Sequence, residues 1–232
     1  MFYSKKLKKN KNIKHCFFSR NNGFSKGIYE SLNCGPGSND SKSHISQNLN
    51  FISQQMNVNK ENLKLMNQSH SNDVIVVNEK NKKNLNFDCD AMVTKIKGVA
   101  LAVLTADCVP IILYDKKNEI ISVVHSGWKG AFSGIIKNTI NVFKSLGSKN
   151  EIYATIGPCI GLYSYEVKED FYKLFIKNSS NNKKYFIPKN DERFNFDLRK
   201  YVENKLKESG VKSIDNVNFD TFKENQNFFS YR

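Results

Sequence analysis

The chain has 232 residues, of which 39% are hydrophobic, 12% aromatic and 25% charged, a composition that excludes a disordered polymer and suits one soluble domain with a substantial core. Its net charge of +14 rests on 36 Lys and Arg, yet only Arg20, Arg193, Arg199 and Arg232 are arginines and the lysines are scattered rather than interleaved with aromatics, so no nucleic-acid partner is expected. No apolar run approaches the roughly 18 residues of a membrane span, and the basic start lacks the apolar core of a secretory signal; a cytoplasmic protein with no membrane partner is expected.

In chain order, apolar runs alternate with amphipathic stretches, the pattern of a mixed α/β fold. The Asn- and Ser-rich stretch at 37–50 reads as a surface loop. "GVALAVLTA" (98–106), "VPIILYD" (109–115) and "EIISVVHSG" (119–127) predict strands, the last two joined by a hairpin loop at "KKN". "WKGAFSGIIKNTINVFKSLG" spaces Ile136, Ile140 and Phe143 by four and three and predicts one helix with Gly147 at its end. "ATIGPCIG" (154–161) predicts a strand ending in a tight turn, and 177–184 a second surface loop. "FDLRKYVENKLKESG" predicts a helix capped by Asp197, striped by Leu198, Tyr201, Val202 and Leu206, and stopped at Gly210. With neither a repeat nor a long linker, residues 1–232 are expected to form a single domain.

Five cysteines without an export signal argue against a disulfide framework. Cys16 and Cys34 read as small buried hydrophobes, and Cys159, in the "GPCIG" turn, as structural. There are four histidines. His15 and His44 lie in polar or basic surroundings and are expected to be exposed. His70 stands at the mouth of "DVIVV", Cys108 follows "VALAVLTAD", and His125 ends "IISVV", so all three fall at strand edges, where sites are commonly assembled. Two imidazoles and a thiolate suit zinc and leave one coordination position open, the catalytic rather than the structural pattern. Their separations of 38 and 17 residues are far from zinc-finger spacing, and the same residues also fit a buried cysteine with two unrelated histidines.

The motifs "NQSHSNDVIVV", "DCDAMVT", "TADCVPIILYD", "VVHSGWKG", "IGPCIGLYSYEV" and "FFSYR", together with the earlier "FFSRNNGFSKGIYESLNCG", resemble in order and register the laccase-domain family, long labelled polyphenol oxidase and now regarded as purine nucleoside phosphorylases. The resemblance covers about residues 17–232. It implies an α/β layered sandwich of mixed β-sheets flanked by helices. It also implies that His70, Cys108 and His125 are catalytic zinc ligands, the same trio that bare chemistry suggests. The implied reaction is zinc-dependent phosphorolysis of adenosine, and of inosine, guanosine and methylthioadenosine, to free base and ribose 1-phosphate, in a monomer or homodimer. Adenosine deamination would be a second activity, although the H-x-E and P-C-x-x-C elements of the familiar zinc deaminases are absent.

Substrate-binding candidates are Arg20, with the turn from Gly23 to Gly27, for phosphate; Gln68, two residues before His70; and the carboxylates Asp90 and Asp107, which suit support of a ligand as well as contact with substrate. This chain departs from the family pattern at Asn22, Ser69 and Lys129, and at Asp220-Thr221, where a Cys-Thr pair is usual. The laccase label itself fails a count, because a trinuclear copper cluster needs more imidazoles than His15 and His44 can add. The alternative is a Cys/His hydrolase acting on a peptidoglycan precursor, with Cys108 as nucleophile and His125 as base.

Overall fold

The apolar run Val109–Asp115 becomes the central strand. In the computed structural model, which describes residues 1–149, 151–190 and 192–232, all seven of its residues are buried, as a strand covered on both faces requires. It pairs antiparallel with Ile120–Ser126, from Val109 opposite Ser126 to Asp115 opposite Ile120. The Asp115 carboxylate closes the hairpin by accepting from the Asn118 backbone at 3.0 Å and side chain at 2.8 Å, so the predicted loop carries its own turn chemistry.

Numbered along the chain, the strands are β1 (Leu63–Met66), β2 (Val74–Val77), β3 (Asn86–Phe87), β4 (Ala91–Thr94), β5 (Ala100–Leu101), β6 (Val109–Asp115), β7 (Ile120–Ser126), β8 (Ile152–Ile156), β9 (Glu166–Lys168), β10 (Phe186–Asn190), β11 (Arg193–Phe196) and β12 (Ser213–Asn216). The helices are α1 (Lys42–Met56), α2 (Trp128–Ser133), α3 (Ile135–Ser145), α4 (Glu169–Asn178) and α5 (Leu198–Glu208). A six-stranded sheet runs β12-β8-β6-β7-β4-β2, flanked in the fold by the three-stranded sheets β3-β1-β5 and β10-β11-β9. The outer pairs β12–β8 and β2–β4 are parallel and the inner pairs antiparallel, so the mixed layered α/β class is as expected. Along β6, Val109, Ile111 and Leu113 face a core shared with Ile136, Ile140 and Phe143 of α3 and Tyr201, Val202 and Leu206 of α5. The alternate residues Ile112 and Tyr114 pack beneath Leu7 and Phe17 of the amino-terminal segment.

The helix α5 starts as predicted, with the Asp197 carboxylate accepting from the Lys200 amide at 2.9 Å and the four striped residues buried. Other expectations are corrected. The strand predicted at 98–106 is reduced to β5, because Leu104 gives its backbone groups to a side chain rather than to a neighbouring strand. The predicted loop at 37–50 contains most of α1, whose buried Ile45, Leu49 and Ile52 form a helical stripe inside a polar composition. The stretch 177–184 holds the end of α4 and a 3₁₀ turn, Ser180–Tyr185, with Asn182 buried.

The single helix predicted after His125 is two. Gly134 stands at φ +100° between α2 and α3, a left-handed conformation that glycine adopts without steric cost. The break lets α2 lie against the segment after His70. Asn72 donates to the Ser133 carbonyl at 2.9 Å, and Asn138 of α3 donates to the Asn72 carbonyl at 2.9 Å. A Cβ on Gly130 would stand 2.9 Å from the Ser71 carbonyl oxygen, so the approach requires glycine.

Beyond the adjoining backbone, no atom lies within 4 Å of where a Cβ on Gly134 would be, which isolates the backbone term. Gly134→Ala is expected to lower stability by about 1–2 kcal/mol, the cost of a left-handed L-residue, read as a lower urea midpoint with an unchanged slope.

Candidate metal centre

Three chain segments meet at one end of the inner strands of the six-stranded sheet. His125 is the penultimate residue of β7 and pairs with Pro110, which brings it beside Cys108 at the entry to β6. On its other side the His125 amide donates to the Asp90 carbonyl at 2.8 Å, at the start of β4. The parallel β2–β4 pair then carries the loop preceding β2, and His70 with it, over the same spot. The ligand atoms of His70, Cys108 and His125 all lie within 4.8 Å of one another. Cys108 Sγ is 3.6 Å from His70 Nε2, near the roughly 3.5 Å that separates a thiolate and an imidazole nitrogen bound tetrahedrally to zinc.

Asp90 organises the trio. It is 0% exposed, and its Oδ1 accepts from His125 Nδ1 at 2.7 Å and from the His70 amide at 3.1 Å. Its Oδ2 accepts from the Ser71 amide at 2.7 Å and the Ser69 amide at 3.2 Å. The bond to Nδ1 fixes the His125 tautomer with its proton there and leaves Nε2 as the free ligand nitrogen, the usual carboxylate–histidine–metal arrangement. The amide bonds hold His70 at φ +61°, a left-handed conformation that a non-glycine residue keeps only when its surroundings over-determine it.

Electrostatics suit a cation. Burial alone would raise the Asp90 carboxyl, but the bonds from His125, Ser71 and Ser69 outweigh it and hold it below the usual carboxylate range. Although His70 keeps an exposed face, partial desolvation of its ring, with His125 and Lys129 assisting and Asp90 opposing, lowers it and favours its neutral, metal-binding form. Burial, then Asp107, Cys159 and Asp90, pushes the Cys108 thiol up to about 12. Such a thiol ionises at neutral pH only with a cation beside it. Space is reserved as well, because a Cβ on Gly127 would stand 2.6 Å from His70 Cδ2 and 3.0 Å from Cys108 Sγ. The residues therefore fit a metal of zinc type.

Of the remaining candidates, Gln68 and Asp107 adjoin the ligand-bearing segments, whereas the side-chain hydrogen bonds of Arg20 go elsewhere and none reaches the trio. Gln68 spans to the other ligand-bearing segment, with Nε2 donating to the Leu104 carbonyl at 2.7 Å and Oε1 accepting from its amide at 2.9 Å. Both carboxylate oxygens of Asp107 are taken by the carboxyl-terminal segment: Thr221 Oγ1 donates at 2.7 Å, Ser230 Oγ at 2.9 Å and the Tyr231 amide at 2.9 Å. Arg20 donates from Nε to the Glu30 carbonyl at 2.7 Å and from Nη1 to the Asn225 carbonyl at 3.1 Å, and stacks 4.4 Å from the Phe229 ring centre.

His15 is not exposed as expected. It is buried, and its Nε2 accepts from the Ser4 amide at 2.9 Å. His44 stands partly buried 3.7 Å from Asp40. Neither joins the trio, which among the described residues is the one such cluster of three or more donor groups. Cys34 and Cys159 are buried, whereas Cys16 is only partly so. Sequence reasoning missed Gly127 and the Thr221, Ser230 and Tyr231 donors. The adjacency of Gly127 to a ligand is a usable signal, but the donors lie more than 110 residues from Asp107 and leave none.

The profile of the family described as "Multi-copper polyphenol oxidoreductase laccase" matches residues 14–232. A purine nucleoside phosphorylase from Rickettsia conorii is 39% identical over 163 residues, 70% of this chain and 67% of that protein. One from Bacteroides thetaiotaomicron is 30% identical, covering 95% of this chain and 86% of that protein. The crystal structure of the hypothetical protein YfiH from Bacillus licheniformis superposes with a TM-score of 0.86 at 24% identity over 92% of this chain and 85% of that one, a likeness of fold. No helix among the described residues is long and apolar enough to cross a membrane.

Asp90→Asn is expected to weaken zinc binding about 10–100-fold, as loss of a supporting partner does elsewhere, and Gly127→Ala to weaken it while leaving the far-ultraviolet spectrum intact; both are read by competition with a chromogenic chelator. Because Cys108 must lose a proton that it otherwise holds across the neutral range, apparent zinc affinity is expected to fall about tenfold per unit as pH drops from 8 to 6, and a pH-independent affinity would place the thiol outside the coordination sphere.

Proposed function

The chain belongs to the family described as multi-copper polyphenol oxidoreductase laccase, and we propose that it is a zinc-dependent purine nucleoside phosphorylase, cleaving adenosine with phosphate to adenine and ribose 1-phosphate and accepting inosine, guanosine and methylthioadenosine. The observation that carries the proposal is a cluster of three donors that could hold a metal ion with one side open: His125 is buried, Cys108 partly exposed and His70 exposed. Relatives of the chain named as purine nucleoside phosphorylases support the choice of reaction.

His70, Cys108 and His125 would hold the ion. When bound, zinc supplies a Lewis acid that polarises a substrate atom or acidifies a water. The chain's own part is to position. Asp90 keeps the His125 proton on Nδ1, and Gln68 ties the His70 segment to the one leading into Cys108. Arg20 carries more N–H groups than its two carbonyl partners use and would offer the rest to phosphate, the anion that a planar cation grips best.

The donor inventory weighs against the rivals. His15 and His44 are engaged away from the trio, so the chain lacks imidazoles for a multicopper cluster. For a Cys/His hydrolase, burial pushes the Cys108 thiol up to about 12, away from the thiolate that such a nucleophile needs.

Zinc-loaded protein incubated with adenosine is expected to release adenine only when phosphate is present, resolved by chromatography, and Cys108→Ala is expected to abolish the release. Inosine formed with or without phosphate would make deamination the leading activity, and intact adenosine, inosine and guanosine in every tube would end the purine proposal.

A further inference from the structure

Asp107 reads from sequence as a substrate contact, yet both oxygens of its carboxylate are hydrogen-bonded within the protein. Its partners are two hydroxyls and an amide from one distant segment, Thr221, Ser230 and Tyr231. Its carbonyl also accepts from the Ile160 amide at 3.0 Å. The residue is held at φ +82°, where an L-residue with a Cβ pays a steric cost that glycine does not. Cys108 is the next residue, so the turn at Asp107 decides where its thiol points, and the thiol points at His70 Nε2 from 3.6 Å.

The segment that supplies these donors is itself fastened on both sides of the turn. Asp220 accepts from the Gly161 amide at 3.0 Å and Ser164 Oγ at 2.6 Å, and the Thr221 amide donates to the Cys159 carbonyl at 3.2 Å. Arg232 lies 5.1 Å over the ring of Tyr165.

Resting on the reading of His70, Cys108 and His125 as metal ligands, we propose that Asp107 is a positioning residue that makes the docked segment Thr221–Tyr231 part of the metal centre. Its bonds to Thr221, Ser230 and Tyr231 keep Asp107 in the left-handed turn, and the turn aims Cys108 at the ion. Freed of those bonds, Asp107 relaxes to the negative φ that non-glycine residues favour, and the thiol swings away from the two imidazoles. Metal binding and segment docking are then coupled, each strengthening the other by the same factor.

The test removes the two hydroxyls, which belong to neither the trio nor its imidazole partners. In Thr221→Val/Ser230→Ala, cobalt(II) is expected to bind roughly tenfold more weakly, in line with other supporting partners of metal ligands. The thiolate-to-cobalt charge-transfer band is expected to weaken, and alkylation of Cys108 in the metal-free protein, located by peptide mass mapping, to accelerate. Restoring one hydroxyl, as Thr221→Ser/Ser230→Ala, is expected to recover part of the band, which a general loss of packing would not do. A band of full strength with cobalt affinity within about twofold of the wild type would overturn the coupling. If the wild type itself shows no thiolate–cobalt band, the metal reading fails separately. Alkylation then decides: a faster rate in the double variant upholds the positioning role of Asp107, and equal rates overturn it.

Discussion

A carboxylate with no exposed surface must find all its hydrogen bonds inside the protein, and Asp90 finds them in the two histidine-bearing segments. Burying that charge and assembling the site are one event. The fold cannot place β4 beside β7 without bringing His125 to the carboxylate, and cannot satisfy the second oxygen without wrapping residues 69–71 around it. Leaving such a charge unpaired costs about 3–5 kcal/mol, a large share of the stability of an ordinary domain. The geometry of the trio is thus enforced by the stability of the whole sheet, which is why a loop as short and exposed as that of His70 can hold an unfavourable backbone angle.

The parts of this fold legible in sequence are those whose cause is local. The β6–β7 hairpin is written in two β-branched runs and an Asp115–Asn118 turn, and α5 in its cap, its stripe and its final glycine. The trio was visible because strand edges and ligand chemistry coincide. What stayed hidden depends on approach. The Ser- and Asn-rich α1 is stabilised by three apolar contacts rather than by propensity. The break at Gly134 exists because α2 must meet the Ser71 carbonyl, and nothing within the 128–147 stretch announces that neighbour. Asp107 looks like a free acid until the far end of the chain is folded against it.

The departure at Asp220 finds a physical account in the same terms. At the position where the resemblance leads one to expect a cysteine, the carboxylate fastens Gly161 and Ser164 and receives the Phe222 amide at 3.2 Å. A Cβ on Gly161 would stand 2.4 Å from its oxygen, so glycine at that turn and aspartate opposite it are mutually fitted. Asp220 thereby ties residues 161–164, just before Tyr165, to the segment that carries Thr221.

The environment of the Cys108 thiol has a further consequence, in the chemistry of oxidants. Burial pushes its ionisation up to about 12, and it is the thiolate that peroxides convert to sulfenic and then irreversibly to sulfinic acid. The neighbouring Cys159 is fully buried and equally basic. Without a cation beside it, the Cys108 sulfur is thus held as the less oxidisable thiol, by burial first and by the nearby Asp107 and Asp90 second.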